Sequence, residues 1–168
     1  TGTSGLAWDV SWQAGSGDNS PAKAELQKIY NAKSGQQYIE LDSDFDGPGG
    51  SISNEAASTR ISQQIATVPG QKYQISYYYS PRPGYGMADN KVGLYIDGFP
   101  WDLSVTTNGT NNTDTVWIQK FNTFTADSNS HTITFADLGT PNSYGMFIDD
   151  VRVNCVNDDG GTKNTPPV

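Results

Sequence analysis

Cysteine and histidine are almost missing from this chain: Cys155 and His131 stand alone among 168 residues. One cysteine cannot close an intramolecular disulfide or furnish a cysteine-rich zinc site. One histidine leaves a histidine-based metal or acid–base centre without partners, and it reads instead as a residue of the strand His131-Thr132-Ile133-Thr134-Phe135. Beyond the one His and the one Cys no Ser-His-Asp or Cys-His arrangement is open to the chain, and Gly84-Tyr85-Gly86 opens no helix, so it makes no phosphate loop. Positive charge is also scarce. Against 18 acidic residues there are 10 basic ones, a formal net charge of -8. That argues against nucleic acid, whose binding proteins carry basic patches, and disfavours an anionic membrane surface. No apolar run approaches the ~18 residues of a membrane span, so no membrane insertion is expected, and no signal-peptide pattern is present. The abrupt start and finish read as a module excised from a longer protein.

What the chain has is strands. Its length suits one domain with a real core. In Tyr73-Gln74-Ile75-Ser76-Tyr77-Tyr78-Tyr79, every second residue is apolar or aromatic. Val92, Leu94 and Ile96 alternate with Gly93, Tyr95 and Asp97, and Ile133 and Phe135 alternate with threonines. Such period-two runs mark half-buried antiparallel strands. Others are expected at 38–41, 61–68, 116–125 and 146–153. Pro69-Gly70 and Asp97-Gly98 are turn dipeptides. Two packed sheets follow, with no βαβ rhythm. Trp117 and Tyr73 are the clearest aromatic core candidates. One segment gives mixed signals: Ser20 as a cap, Pro21 at the first helical position, and Leu26, Ile29 and Tyr30 on one face suggest a helix over 20–30.

The acidic run Asp42-Ser43-Asp44-Phe45-Asp46-Gly47 follows directly on Tyr38-Ile39-Glu40-Leu41. Carboxylates at alternate positions can turn inward around one hard cation, and a glycine supplies the sharp turn. An EF-hand loop would add a bidentate Glu at its twelfth position, which here is Ser53. The loop therefore reads as a calcium site in a β-protein, with Asp42, Asp44 and Asp46 as ligands. Glu40, Glu55 or backbone carbonyls would complete it. The plainer alternative is a solvated acidic turn.

Three other groupings bear on function. The long loop Pro81-Arg82-Pro83-Gly84-Tyr85-Gly86-Met87-Ala88-Asp89-Asn90 joins two strands and carries a guanidinium, a phenol, a carboxylate and an amide. Arg82, Tyr85, Asp89 and Asn90 are the ligand-binding candidates in it, although Arg82 pairing with a nearby carboxylate would merely fix the loop. Asp149 shares strand parity with Phe147, Val151 and Val153 and should point inward, where a carboxylate needs a cation or strong donors. A β-bulge turning it outward is the alternative. Trp8, Trp12, Tyr85, Phe99 and Trp101 are aromatics near the start or beside loops, of which Trp12 and Tyr85 are candidate stacking platforms. Asn108-Gly109-Thr110 and Asn111-Asn112-Thr113 are glycosylation sequons that also read as turns.

Four segments in order support a family resemblance. They are Gly35-Gln36-Gln37-Tyr38-Ile39-Glu40-Leu41-Asp42-Ser43; Ile61-Ser62-Gln63-Gln64-Ile65 with Pro69-Gly70-Gln71-Lys72-Tyr73; Tyr79-Ser80-Pro81-Arg82-Pro83-Gly84 with Asp89-Asn90; and Phe147-Ile148-Asp149-Asp150-Val151. Over roughly residues 6–154 the chain resembles the galactose-binding-like jelly-roll modules of large secreted bacterial adhesins and calcium-dependent carbohydrate-binding modules. The resemblance implies an all-β jelly-roll sandwich, a strand from about Ala24, and a structural calcium near Asp149. It also places Arg82 and Asn90 at the ligand-binding end. The chain departs from the pattern at its start, where Thr1-Gly2-Thr3-Ser4-Gly5 stands in place of an Asn-Gly-Ser-Phe-Glu-like strand that helps hold calcium.

These readings converge on a non-catalytic, calcium-dependent module on a bacterial surface, mediating adhesion and biofilm formation. Residues 1–155 would form the module, and 156–168, rich in Gly, Pro and polar residues, a linker to the next domain. The expected partners are a glycan or an exposed peptide and neighbouring domains of the same adhesin, with the module itself a monomer. The rival is a calcium-rigidified spacer with no ligand of its own.

Overall fold

The computed structural model describes residues 7–13, 21–43 and 58–156. Ten strands run through them: β1 (Asp9–Trp12), β2 (Glu25–Gln27), β3 (Tyr38–Glu40), β4 (Thr59–Ala66), β5 (Lys72–Ser80), β6 (Lys91–Ile96), β7 (Phe99–Thr106), β8 (Ile118–Thr125), β9 (Ser130–Asp137) and β10 (Phe147–Val156). They pair into two five-stranded sheets, ordered β1-β4-β9-β6-β7 and β2-β3-β10-β5-β8, and every pairing is antiparallel. The fold is an all-β jelly-roll sandwich.

The period-two pattern is what buries the core. Ile75 and Tyr77 of β5, Leu94 and Ile96 of β6, Ile133 and Phe135 of β9, and Ile148 of β10 turn into the space between the sheets. There Tyr77 meets Phe135 edge-on, ring centroids 4.8 Å apart at 70°. The turn residues act as their types require. Asp97 and Gly98 both take positive φ, 51° and 81°, as the two-residue hairpin joining β6 to β7 demands. Pro69-Gly70 closes with a hydrogen bond of 3.0 Å from the Gln71 N–H to the Val68 carbonyl, Gly70 standing at φ 82°.

Two sequence expectations meet a physical reason here. Residues 25–27 form strand β2, paired in register with β3, as the resemblance implied from about Ala24, and sheet pairing overrides the local helical signals. Trp117 is only half-buried: it precedes β8, packs against Tyr38 with centroids 5.6 Å apart, and donates its indole N–H to the Asn31 carbonyl at 2.8 Å. An indole with a nitrogen to satisfy sits where a carbonyl is within reach. Tyr73 packs on the core, stacked on Phe124 at 5.6 Å. The expected linker falls almost wholly outside the described residues. Among the described residues no helix is long and apolar enough to cross a membrane.

Candidate functional site

Both sheets deliver their chain to one end of the sandwich. In the first, Trp12 at the end of β1 pairs with Thr59, Arg60 with Ala136 near the end of β9, and Asp137 with Val92 near the start of β6. In the second, Phe147 at the start of β10 lies between Glu40 of β3 and Ser80 of β5. The loops 81–90 and 138–146 leave from this end.

Glu40 ends β3 with none of its surface exposed, on the face of the sheet opposite to Ile39 and Ile148. Its Oε1 accepts the Gly145 N–H at 2.9 Å and the Arg82 guanidinium; its Oε2 accepts the Gln27 amide at 3.1 Å. Burial pushes the Glu40 carboxyl up, while Arg82 and the Gly145 N–H pull it down. Burial pulls the Arg82 guanidinium down, and Glu40 more than offsets this, so its net shift is upward. The first shift favours a neutral carboxyl and the second an ionised one. Three donors converging on two carboxylate oxygens favour the ionised pair. Both Glu40 oxygens are thereby occupied by protein donors. Arg82 is the loop-fixing residue that the sequence allowed as an alternative, its Nη1 bound to Glu40 and its Nε buried.

Above this pair lies an aromatic stack. The Tyr85 and Tyr144 rings are 4.5 Å apart at 27°, and the Arg82 guanidinium is 5.4 Å from the first centroid and 4.9 Å from the second. Tyr144 remains 39% exposed. At its rim the Asn142 amide donates to Asp89 Oδ1 at 2.9 Å. Asn90 plays a different part from the one its sequence position suggested. It is fully buried: its Oδ1 accepts the Arg82 N–H at 2.7 Å, and its Nδ2 donates to the carbonyls of Tyr85 at 3.1 Å and Gly86 at 2.8 Å. An amide with its hydrogen bonds spent this way shapes the loop and has nothing left for a ligand. Trp12 is half-buried at the same end, but three strand spacings, ~14 Å, separate β1 from β6.

Among the metal candidates, Asp42 is wholly buried. Its Oδ2 accepts the Asn142 N–H at 2.9 Å, and its Oδ1 has no hydrogen-bond partner. Burial pushes this carboxyl up to about 7, against the Asn142 N–H, which pulls it down. Gly145 is required beside it, because a Cβ there would lie 2.7 Å from the Asp42 Cβ. Asp44 and Asp46 lie outside the described residues, as do Ser53 and Glu55. Among the described residues no group of three or more His, Cys, Asp and Glu side chains is arranged to hold a metal ion. Asp149 stands on the bulge that the sequence offered as its alternative. The β10–β5 register shifts between Asp149 and Arg152, and Asp150 has φ 48°. Asp149 Oδ2 accepts the N–H groups of Lys33 at 2.8 Å and Ser34 at 2.9 Å, and its Oδ1 that of Asp150 at 2.7 Å. Backbone donors thus satisfy this carboxylate without a cation.

Three residues of this end escaped the sequence reading: Asn142, Tyr144 and Asp137. Pro141-Asn142-Ser143-Tyr144-Gly145 mixes amide, hydroxyl and phenol between two strands, the same mixture that marked the 81–90 loop. Asp137 carried a quieter signal, an acid closing an otherwise apolar and threonine-rich strand.

No family model matches the chain. Halomucin of Haloquadratum walsbyi (strain DSM 16790 / HBSQ001) is 35% identical over 86 residues, which is 50% of this chain and 1% of that protein. The chain therefore spans a very small part of the curated relative it matches. Three solved structures share the architecture. The K3 cleaved adhesin domain of Lys-gingipain from Porphyromonas gingivalis superposes with TM-score 0.55 at 13% identity, covering 88% of this chain and 91% of that one. A family 35 carbohydrate-binding module from Clostridium thermocellum gives 0.53 at 10%, covering 87% and 90%. The CBM22-1 xylan-binding domain of Paenibacillus barcinonensis Xyn10C gives 0.53 at 12%, covering 88% and 85%. At these identities the likeness is one of fold.

Proposed function

We propose that this chain is a non-catalytic, calcium-dependent carbohydrate-binding module of a secreted bacterial surface protein, engaging a glycan on another cell or matrix. The observation that carries the reading is the half-exposed Tyr85–Tyr144 stack at the loop end, with Asp89 and Asn142 at its rim. Aromatic faces pack on the apolar faces of sugar rings, and a carboxylate with an amide offers the acceptor and donor mixture that hydroxyls use. The commitment of Arg82 to Glu40 favours a glycan over a peptide carboxylate, which would call for a free guanidinium. The architecture shared with carbohydrate-binding modules and an adhesin domain supports the same reading by analogy.

Calcium fits one observation directly, the buried Asp42 oxygen with no partner. Asp42, with Asp44 and Asp46 following in sequence, would hold the ion. The ion would supply charge neutralisation and a rigid base for the loops. Neighbouring domains of the parent protein are the other expected partners, and the module acts as a monomer.

The test is affinity electrophoresis through a panel of soluble polysaccharides, including xylan, with calcium present, comparing the natural protein with Tyr144→Ala. Retardation by at least one polysaccharide, weakened about tenfold or more in the variant, supports the reading. Equal retardation of both proteins removes the tyrosine stack from the site. No retardation of the natural protein by any polysaccharide favours the spacer role.

A further inference from the structure

Two buried carboxylates meet across the sandwich at this end, one from each sheet. Asp42 follows β3 of the second sheet, and Asp137 closes β9 of the first. They are 0% and 1% exposed. Asp42 forms an isolated antiparallel bridge with Ser58, and the Ser58 side chain reaches the Asp137 carboxylate. Asp137 Oδ1 accepts the Gly139 N–H at 3.2 Å, as Asp42 Oδ2 accepts that of Asn142. Backbone N–H groups thus anchor each carboxylate, with Ser143 and Tyr144 beside Asn142 at Asp42 and Leu138 beside Gly139 at Asp137. The other oxygen of each, Asp42 Oδ1 and Asp137 Oδ2, is buried with no hydrogen-bond partner.

An unpartnered buried carboxylate oxygen is costly, and two in one cluster add like-charge repulsion. The Arg82 guanidinium at this end is committed to Glu40. We propose that Asp42 and Asp137 jointly hold one calcium ion that clamps the two sheets together, with Ser58 oxygen nearby and water in the remaining positions. Hard oxygen donors, flexible geometry and tolerance of bound water are what calcium accepts. The clamp rests on the calcium reading of the proposed function and deepens it. It moves the ion from the alternating acidic run alone to a site spanning both sheets, with a ligand ninety-five positions further along the chain.

The location explains why calcium would govern ligand binding. The Asn142 N–H is bound to Asp42, and the Asn142 side chain to Asp89. Gly139 packs so closely on the loop that a Cβ there would lie 2.3 Å from the Asp89 carbonyl oxygen. An ion between Asp42 and Asp137 therefore fixes the 138–146 loop, which carries Tyr144, and the Asp89 corner of the 81–90 loop.

The test uses the whole 168-residue chain and calcium alone as the probe. Thermal melts in chelator and in excess calcium are compared for the natural protein and Asp137→Asn. At calcium about 100-fold above Kd the natural protein should gain roughly 5–10 °C in Tm. Asp137→Asn should lose that gain, yet melt in chelator at or above the natural protein, because one of two repelling charges is gone. Should Asp137→Asn fail to fold, Asp137→Ser and calcium stoichiometry by titration calorimetry serve instead, with one ion fewer expected. A full calcium shift in folded Asp137→Asn, or an undiminished stoichiometry in Asp137→Ser, overturns the clamp while leaving the calcium reading standing. No shift in the natural protein overturns both.

Discussion

Arg82→Met should destabilise the protein by an amount that depends steeply on pH. Glu40 would lose its charged partner while keeping two neutral donors, the Gly145 N–H and the Gln27 amide. Breaking a buried ion pair from one side costs about 3–5 kcal/mol. The structure sets a ceiling, because a buried carboxyl can protonate instead of standing unpaired. Protonating a glutamate of ordinary pKa ~4.3 at pH 7 costs about 1.36 × 2.7, or ~3.7 kcal/mol. At pH 5 the same step costs about 1 kcal/mol. The sign follows from linkage: in the variant the folded pKa of Glu40 lies above the unfolded one. Its stabilising contribution is therefore full below the unfolded pKa and lost as pH rises. The expected deficit is ~4 kcal/mol at pH 7, or about 8–16 °C in Tm for a chain of this size, shrinking to ~1 kcal/mol at pH 5. Lost packing of the guanidinium against Tyr85, Tyr144 and Phe147 adds a part that does not vary with pH. Arg82→Met combined with Glu40→Gln should recover most of the pH-dependent part. Urea denaturation at both pH values, with calcium present, measures all of this. An Arg82→Met deficit under ~1 kcal/mol at pH 7, or one equal at both pH values, would refute the pairing argument.

Other outcomes follow from the same end of the sandwich. In chelator, burial raises Asp42 to about 7 and Asp137 to about 6, so their contribution to stability is full below the ordinary carboxylate range and lost as pH climbs through 6–7. Tm in chelator should fall across that window, and a flat profile from pH 4 to 8 would contradict it. Gly145→Ala forces a Cβ to within 2.7 Å of the Asp42 Cβ and 2.9 Å of its nitrogen. It should cost about 1–3 kcal/mol by denaturant melts, whereas Gly86→Ala, with its nearest neighbour 4.0 Å away, should cost much less. Asn90→Ala leaves three backbone groups of the 81–90 loop without their side-chain partner. It should lower stability by roughly 2–4 kcal/mol and speed hydrogen exchange at the Arg82 N–H.

Much of the architecture was legible because its signals are local and periodic. Alternation placed β5, β6 and β9, and the Asp97-Gly98 and Pro69-Gly70 dipeptides placed two turns. Residues 25–27 were a different case: cap and proline signals report local preference, while the pairing of Leu26 with Ile39 is decided by a strand thirteen residues away. At the site, the residue types were legible but their partners were not. Arg82 and Glu40 stood out separately, and only the fold brings them together across forty-two positions. Asn90 looked like a ligand group because amides bind sugars, yet burial assigns it to the loop. Asp149 was expected to turn inward by parity, and the bulge at Asp150 breaks that parity. Asp137 has no neighbouring acid in sequence, so no motif could join it to Asp42.

The most direct test of a calcium-supported glycan site at the Tyr85–Tyr144 end is titration calorimetry with an oligosaccharide of the polysaccharide that retards the protein most. It is run in calcium, in chelator, and with Tyr144→Ala. The account predicts saturable binding in calcium, a loss of about tenfold or more for folded Tyr144→Ala, and weak or no binding in chelator. Binding of equal strength by the natural protein and Tyr144→Ala, indifferent to chelator, would contradict it.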